Sequence, residues 1–145
     1  MYTSGKLTSR DLAHVMYVEG KSFPEPLQWS RSQFLQIMRH SNGAGLLIAM
    51  SGTSSPFAAG YSLFDYGHLL RVAVVPEQRR KRIGTSLLAS TVAVAQATDN
   101  PGIFWAPVDE DNLRAQLFFR AVGWRCGAIQ HERKRNLYLF AYDLI

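Results

Sequence analysis

The sequence predicts a mixed α/β domain, and three observations carry that expectation. Helical periodicity fills the first forty residues and gives way, after Asn42-Gly43, to apolar runs of strand length. The run Val72-Ala73-Val74-Val75 stops at Pro76; four basic residues, Arg79, Arg80, Lys81 and Arg82, follow, and Gly84 opens a helical pattern. Strands and helices then alternate, giving the order β-α-α-β-β-β-α-β-α-β-β with no internal repeat.

Residues 1–7 read as a short edge strand. Thr8 or Ser9 then caps a helix beginning near Asp11, with Leu12, Val15, Met16 and Glu19 at helical spacing. Pro24 and Pro26 interrupt it, because proline lacks the amide proton and crowds the preceding turn. Ser30 is the N-cap of a second helix carrying Phe34, Leu35, Ile37 and Met38. Strands follow over 46–50 and 57–64, joined by a hairpin connection over 51–56, and a third runs over 68–75. The next helix presents Ile83, Leu87, Leu88, Thr91, Val92 and Ala95, a broad apolar face suited to packing on a sheet. Asp99-Asn100-Pro101-Gly102 ends it. A buried strand over 103–108 leads to a helix over 112–122 closed by Gly123; Trp124 starts another strand, and the last spans 137–144.

The 145 residues fit one domain, which at this size buries roughly two-thirds of its unfolded surface. No apolar run approaches the ~20 residues of a membrane-spanning helix, and the N-terminus lacks the apolar core of a secretory leader. The single cysteine, Cys126, excludes an intrachain disulfide, so a cytoplasmic location is expected. His14, His40, His68 and His131 have no metal-ligand spacing, and no metal is expected. Trp29, Trp105 and Trp124 are too scattered for a base-stacking platform. The net charge of +5 suits an anionic ligand or a weak contact with nucleic acid or the ribosome, of which nucleic acid is not the expected partner.

The stretch from Val72 to Leu88 carries the chemistry. A helix N-terminus leaves backbone N–H groups unpaired and concentrates the positive end of the helix dipole. Phosphate and pyrophosphate bind such ends, and neighbouring Arg and Lys reinforce them. The plainer alternative is a solvated basic loop before an ordinary helix.

This stretch resembles the acetyl-coenzyme A signature of the GNAT N-acetyltransferases, in which V-x-P is followed by [QR]-x-x-G-x-[GA] and a helix. Arg79 stands at the Gln/Arg position and Gly84 at the final Gly/Ala position; Arg82 replaces the first Gly, at the expected expense of backbone freedom. The element order resembles the family across essentially the whole chain, implying the GNAT acyl-CoA N-acyltransferase fold: a mixed, mostly antiparallel sheet with a splayed central strand pair and about four helices. Within the family the chain resembles the RimI type, which acetylates protein N-termini, notably of a small-subunit ribosomal protein. Phe23-Pro24 to Trp29-Ser30 resembles F-P-x-P-W-S with Leu27-Gln28 inserted, Leu69 to Pro76 resembles L-x-N-I-A-V-x-P, and Asp111 to Trp124 resembles S-N-x-x-A-I-x-L-Y-x-x-x-G-F.

The resemblance implies that the backbone of Val72, Ala73 and Val74 holds the thioester and pantetheine arm of acetyl-coenzyme A. It assigns the pyrophosphate to Arg80, Lys81, Arg82, Ile83, Gly84 and Thr85, beside Arg79. Asn112 matches a coenzyme contact and is also a plausible helix N-cap. Phe119 occupies the position of the general-acid Tyr and Pro107 that of the general-base Glu, so both expected catalytic groups are absent. Asp109, Glu110 and His68 are the substitute bases within reach by sequence, each with an ordinary surface role as alternative. Arg71, alone in an apolar strand, either pairs with a carboxylate or faces the cleft. The charged tip His131-Glu132-Arg133-Lys134-Arg135 is either simply solvated or touches a polypeptide substrate. Three functions fit: acetyl transfer to a protein N-terminus, transfer to a small amine or lysine, and a non-catalytic acyl-coenzyme A-binding or ribosome-associated module.

Overall fold

A computed structural model describes residues 2–4, 9–40, 44–50, 58–65, 67–79, 82–99 and 102–144. In chain order these form β1 (Tyr2–Ser4), α1 (Ser9–Ser22), α2 (Arg31–His40), β2 (Ala44–Met50), β3 (Ala58–Asp65), β4 (His68–Val74), α3 (Ile83–Asp99), β5 (Ile103–Asp109), α4 (Leu113–Ala121), β6 (Arg125–His131) and β7 (Asn136–Asp143). Short 3-10 turns occupy Glu25–Leu27 and Pro76–Gln78, each seeded by proline in its first turn. The element order is the expected one. The Asn42-Gly43 turn, the 51–56 connection, the Thr8 cap and the breaker pair Asn100-Pro101 lie outside the described residues.

The sheet order is β1-β2-β3-β4-β5-β7-β6. Every neighbouring pair is antiparallel except β4–β5, which is parallel and held at one register position, His68↔Trp105. The Trp105 N–H donates to the Gly67 carbonyl at 2.8 Å, and beyond it the two strands part. The splay expected beside the valine run is therefore present.

Two cores sandwich the sheet. On one face, Leu12, Val15 and Val18 of α1 and Phe34 of α2 pack on Ile48, Tyr61, Leu63, Ala73 and Val75. On the other, Leu87, Leu88 and Val92 of α3 and Phe119 of α4 pack on Phe64, Leu69, Phe104 and Phe140. Thr91, buried on the apolar side of α3, meets Ser62 Oγ at 2.6 Å and donates to the Leu87 carbonyl, so its hydroxyl carries little desolvation penalty.

Strand β4 changes core partway along. Its register against β3 runs Leu63↔Arg71 and then Phe64↔Leu69, so Leu70 is an extra, bulged residue. Leu69 belongs to the α3–α4 core, whereas Ala73 and Val75 belong to the α1–α2 core, and Arg71 turns toward α1. A bulge sharpens local twist and bends its strand. Here it lies where β4 leaves β5.

Caps fix the helix ends. Ser30 and Gln33 form a reciprocal capping box on α2: Ser30 N–H donates to Gln33 Oε1 at 2.7 Å, and Gln33 N–H to Ser30 Oγ at 3.2 Å. Asn112 Oδ1 accepts the Ala115 N–H at 3.1 Å at the start of α4. The same helix ends at Gly123, in the left-handed region at φ 95°, with Trp124 N–H donating to the Phe119 carbonyl and Gly123 N–H to that of Arg120. The Trp124 and Phe119 rings complete that motif at 5.2 Å between centroids.

Candidate acetyl-donor site in the splay

A cavity of about 540 Å³ opens where β4 and β5 part. Its walls come from β4, the first turn of α3, α4, and the end of α1 at Ser22 and Phe23. Most residues singled out from the sequence meet there. Val72, Ala73 and Val74 form one wall; Ile83, Gly84 and Thr85 form the helix mouth; Arg79, Arg82, Asn112 and Phe119 complete it. Arg80 and Lys81 lie outside the described residues.

Backbone direction separates the three β4 residues. Val75 N–H donates to Ala59 O on the β3 side, so the N–H and C=O groups of Val74 and Val72 point the other way, into the gap. Ala73 turns its carbonyl toward β3, where a Cβ on Gly60 would lie only 2.6 Å from it. Val72 and Val74 thus present hydrogen-bonding edges to the cavity, and Ala73 does not. The Val74 carbonyl accepts from Arg79 Nε at 3.0 Å and from Ser22 Oγ at 3.3 Å.

Arg82 departs from expectation. Rather than losing the conformational freedom of glycine, it takes the left-handed conformation itself, at φ 61°. That conformation costs a non-glycine residue about 1–2 kcal/mol. In return the chain enters α3 with the first-turn amides of Ile83, Gly84 and Thr85 facing the cavity mouth. At Gly84 a Cβ would meet the Phe118 ring at 3.4 Å and Val74 Cγ2 at 3.6 Å, ordinary contacts, so glycine here leaves open cavity rather than relieving a clash.

Arg114, Phe118 and Ala115 also line the cavity and were not singled out from the sequence. The signal for Arg114 was its position two residues after the Asn112 cap, on the first turn of α4. Burial, and then the neighbouring charge of Arg114, hold the Arg79 guanidinium below the usual arginine range, with Glu77 opposing. Two guanidinium groups that repel each other at a helix N-terminus form a site that an anion relaxes. Apolar side chains make up the rest: Phe119 is 3 % exposed and stacks on Phe140, at 5.7 Å between centroids. Phosphates at the cationic mouth and a thioester arm along the open β4 edge fit this arrangement of groups.

The substitute bases are not brought in. Asp109 pairs with Arg135 at 3.1 Å and accepts the Asp111 N–H, at the far end of β5. Glu110 donates its N–H to Asn136 O, and its carbonyl accepts from Gln116 Nε2. His68 is exposed at the start of β4. None of the three lines the cavity. Pro107 sits on β5 opposite Leu139, with its nitrogen on the same edge as that of Trp105. That edge faces the gap after β4 has left, so the missing N–H costs no sheet hydrogen bond. Among the described residues no group of acidic, His or Cys side chains could hold a metal ion, and no helix is long and apolar enough to cross a membrane.

The chain is similar to known proteins along most of its length. A Bacillus subtilis (strain 168) protein, named as a candidate ribosomal protein bS18-alanine N-acetyltransferase, is 24% identical over 121 residues, 83% of this chain and 78% of that protein. The ribosomal-protein-S18-alanine N-acetyltransferase of Escherichia coli superposes with a TM-score of 0.71 at 17% identity, over 99% of this chain and 93% of that one. The protein yncA of Salmonella typhimurium, named as a candidate acetyltransferase and solved with its cofactor acetyl-CoA, gives 0.72 at 14% identity, over 100% and 94%. The model of the acetyltransferase (GNAT) family matches residues 11–124. The chain therefore belongs to the GNAT family of acetyltransferases, which use acetyl-coenzyme A as acetyl donor.

Proposed function

We propose that this acetyltransferase transfers acetyl to a protein N-terminal α-amino group, a ribosomal protein among the possible acceptors. One observation carries the reading: the described residues lining the cavity include no Asp, Glu, His, Lys, Cys or Tyr. A site without a proton acceptor must receive its amine already neutral. An α-amine with pKa about 8 is neutral roughly one time in ten at pH 7, whereas lysine near 10.4 is neutral about once in 2,500. That ratio is worth roughly 3 kcal/mol in favour of the N-terminus.

Acetyl-coenzyme A, when bound, supplies the reactive thioester. The Ile83–Thr85 amides and the Arg79, Arg82 and Arg114 guanidinium groups would hold its phosphates, and the Val72 and Val74 backbone edge would hold its arm. The same backbone N–H groups are placed to stabilise charge developing on the thioester oxygen. Phe118 and Phe119 exclude water from one wall. Positioning and charge stabilisation then carry the rate, with proton removal left to solvent.

The relatives of similar fold named for alanine N-acetylation support this acceptor class. The test measures acetyl-coenzyme A binding by thermal shift, then thiol release with peptides bearing free N-termini, with N-blocked internal-lysine peptides and with polyamines. Turnover confined to free N-termini is expected. Preference for internal lysine would overturn the reading, and binding without turnover on any acceptor would leave a non-catalytic coenzyme-binding module.

A further inference from the structure

The two ends of the sheet are unlike. β1 closes one with three residues, whereas β6 closes the other with seven, all exposed and none of them Lys or Pro. Shortness, lysine and proline are usual guards against pairing with another chain, and β6 has none of these. Its outer backbone is open as well. The Trp105 N–H points to Gly67, so Trp105 turns away from β7, and Ala141 opposite it turns its backbone groups toward β6. Leu139, two residues back, does the same. Their partners on β6, Arg125 and Ala128, therefore face inward, with Gly127 the extra residue of a bulge between them. Cys126 before the bulge, and Ile129 and His131 after it, turn their N–H and C=O groups outward.

Side-chain direction adds an apolar strip. Cys126 and Ile129 stand opposite Phe140 and Tyr138, on the α3–α4 side of the sheet, whereas Arg125 and Gln130 stand opposite Ala141 and Leu137 on the other side. Gln130 Nε2 donates to Glu132 Oε1 at 3.3 Å, which keeps Glu132 on the Arg125 side. Ile129 is 51 % exposed. Leu113 and Leu117, one turn apart on α4, are 62 % and 58 % exposed, on the flank away from the cavity-lining Arg114, Ala115 and Phe118. In the order β4-β5-β7-β6 that flank is the one toward β6. Three of the five large apolar side chains left exposed among the described residues thus gather at this edge.

We propose that β6 pairs antiparallel with β6 of a second copy of this chain, about a two-fold axis at Ile129, joining the two sheets edge to edge. The register is self-complementary. Ile129 meets its own copy on the axis and Ala128 faces Gln130; past the bulge, Cys126 faces His131 and Arg125 faces Glu132. Every pair matches outward backbone with outward, inward with inward, and puts both side chains on one face of the joined sheet. With histidine neutral, the one charged pair joins opposite signs, and symmetry makes it twice. Leu113 and Leu117 of each copy flank the paired Ile129 side chains, so the strip exposed in the single chain is covered in the pair. The pairing is independent of which amine accepts acetyl.

Sedimentation equilibrium of the full chain over a wide range of concentration tests this, with circular dichroism checking the fold of each variant. The parent should dimerise reversibly. Ile129→Glu sets two carboxylates on the axis, and Arg125→Glu sets a carboxylate against Glu132; each should raise the dimer dissociation constant about tenfold or more. All three positions are exposed, so the variants should fold. Exchanging the charges, Arg125→Glu with Glu132→Arg, should return the constant to within about threefold of the parent, a rescue that a general loss of stability would not show. In a Cys126→Ser background, Ile129→Cys should give a disulfide-linked dimer on oxidation with diamide and Ala128→Cys should not, because position 129 alone meets itself. A chain that stays monomeric at every concentration would overturn the proposal. So would a dimer that Arg125→Glu does not weaken, that the charge exchange does not restore, or that Ala128→Cys links as readily as Ile129→Cys.

Discussion

Replacing Arg82 by glycine separates two contributions that the sequence merges. Arg82 holds φ at 61°, where a side chain costs about 1–2 kcal/mol. Glycine removes that cost but loosens the unfolded chain by about 0.5–1 kcal/mol. The net expectation is a gain of about 0.5–1 kcal/mol. With about 2.1 cal/mol/K of unfolding entropy per residue, a chain of 145 residues converts this into a Tm rise of about 2–3 °C. Alanine keeps the strained dihedral, so Arg82→Ala should show no such rise. Because the backbone already holds the conformation that glycine would permit, glycine offers the ligand no new geometry. Affinity for acetyl-coenzyme A should instead fall, about three- to tenfold at low salt, equally in both variants, and converge with the parent at high salt. Differential scanning fluorimetry and titration calorimetry at two salt concentrations read both quantities. Tighter binding by Arg82→Gly, or a Tm no higher than that of Arg82→Ala, would refute the left-handed assignment and the reasoning built on it.

Other positions give sharper single outcomes. Gly84→Glu should fold, since its Cβ makes only ordinary contacts, yet bind acetyl-coenzyme A at least about 100-fold more weakly in a titration. Gly60→Ala should cost about 1–3 kcal/mol in chemical denaturation, because its methyl would sit 2.6 Å from the Ala73 carbonyl and β3 and β4 must move apart. The kcat/KM for an N-terminal peptide should rise with pH to the pKa of the peptide amine and then level; a plateau reached near pH 6–7 would reveal an enzyme base. Pro107→Glu with Phe119→Tyr should raise turnover by up to roughly 10²-fold. Replacing Pro107 costs the sheet no hydrogen bond, and Phe119 lines the cavity whereas Pro107 does not, so turnover that fails to rise would show that a carboxylate at this point of β5 does not reach the site.

Local signals in the chain were reliable guides to the fold. Prolines 24, 26 and 76, the Ser30 and Asn112 caps, Gly123 and the change of apolar period each act within a few residues, and each appears where the pattern puts it. Contacts between distant residues were harder to read. Arg71 in an apolar strand left two readings open, a carboxylate partner or the cleft, and the folded sheet decides for the partner, Glu19, 52 positions away in the chain. The cavity follows the same rule. Its β4 and α3 walls are contiguous in sequence and were legible, whereas Ser22, Phe23 and Arg114 come from other elements. Asp109 and Glu110 lie within a few residues of Pro107 yet sit at the end of β5 and do not line the cavity, Asp109 being paired with Arg135. The conformation of Arg82 had no sequence signal, since left-handed backbone is usually announced by glycine or asparagine.

The extra residue at Leu70 acts like a phase slip in the alternation of β4. Before it, Leu69 counts toward one side of the sheet; after it, Arg71, Ala73 and Val75 count toward the opposite side from the one unbroken alternation would assign. Were Leu70 drawn into the ladder instead of bulged, the two populations would exchange: the Arg71 cation would be carried toward the Phe64–Phe104 side, and the Val72 and Val74 edge would turn from the gap toward β3. Deleting Leu70 would straighten the strand yet leave each later side chain on its present face. The number of residues between Arg71 and Pro76 is what cannot change by one, because parity in this strand decides which helix layer each side chain meets and which way each backbone amide points. Insertions that a surface loop would absorb would here invert the molecule's inside and outside over half a strand.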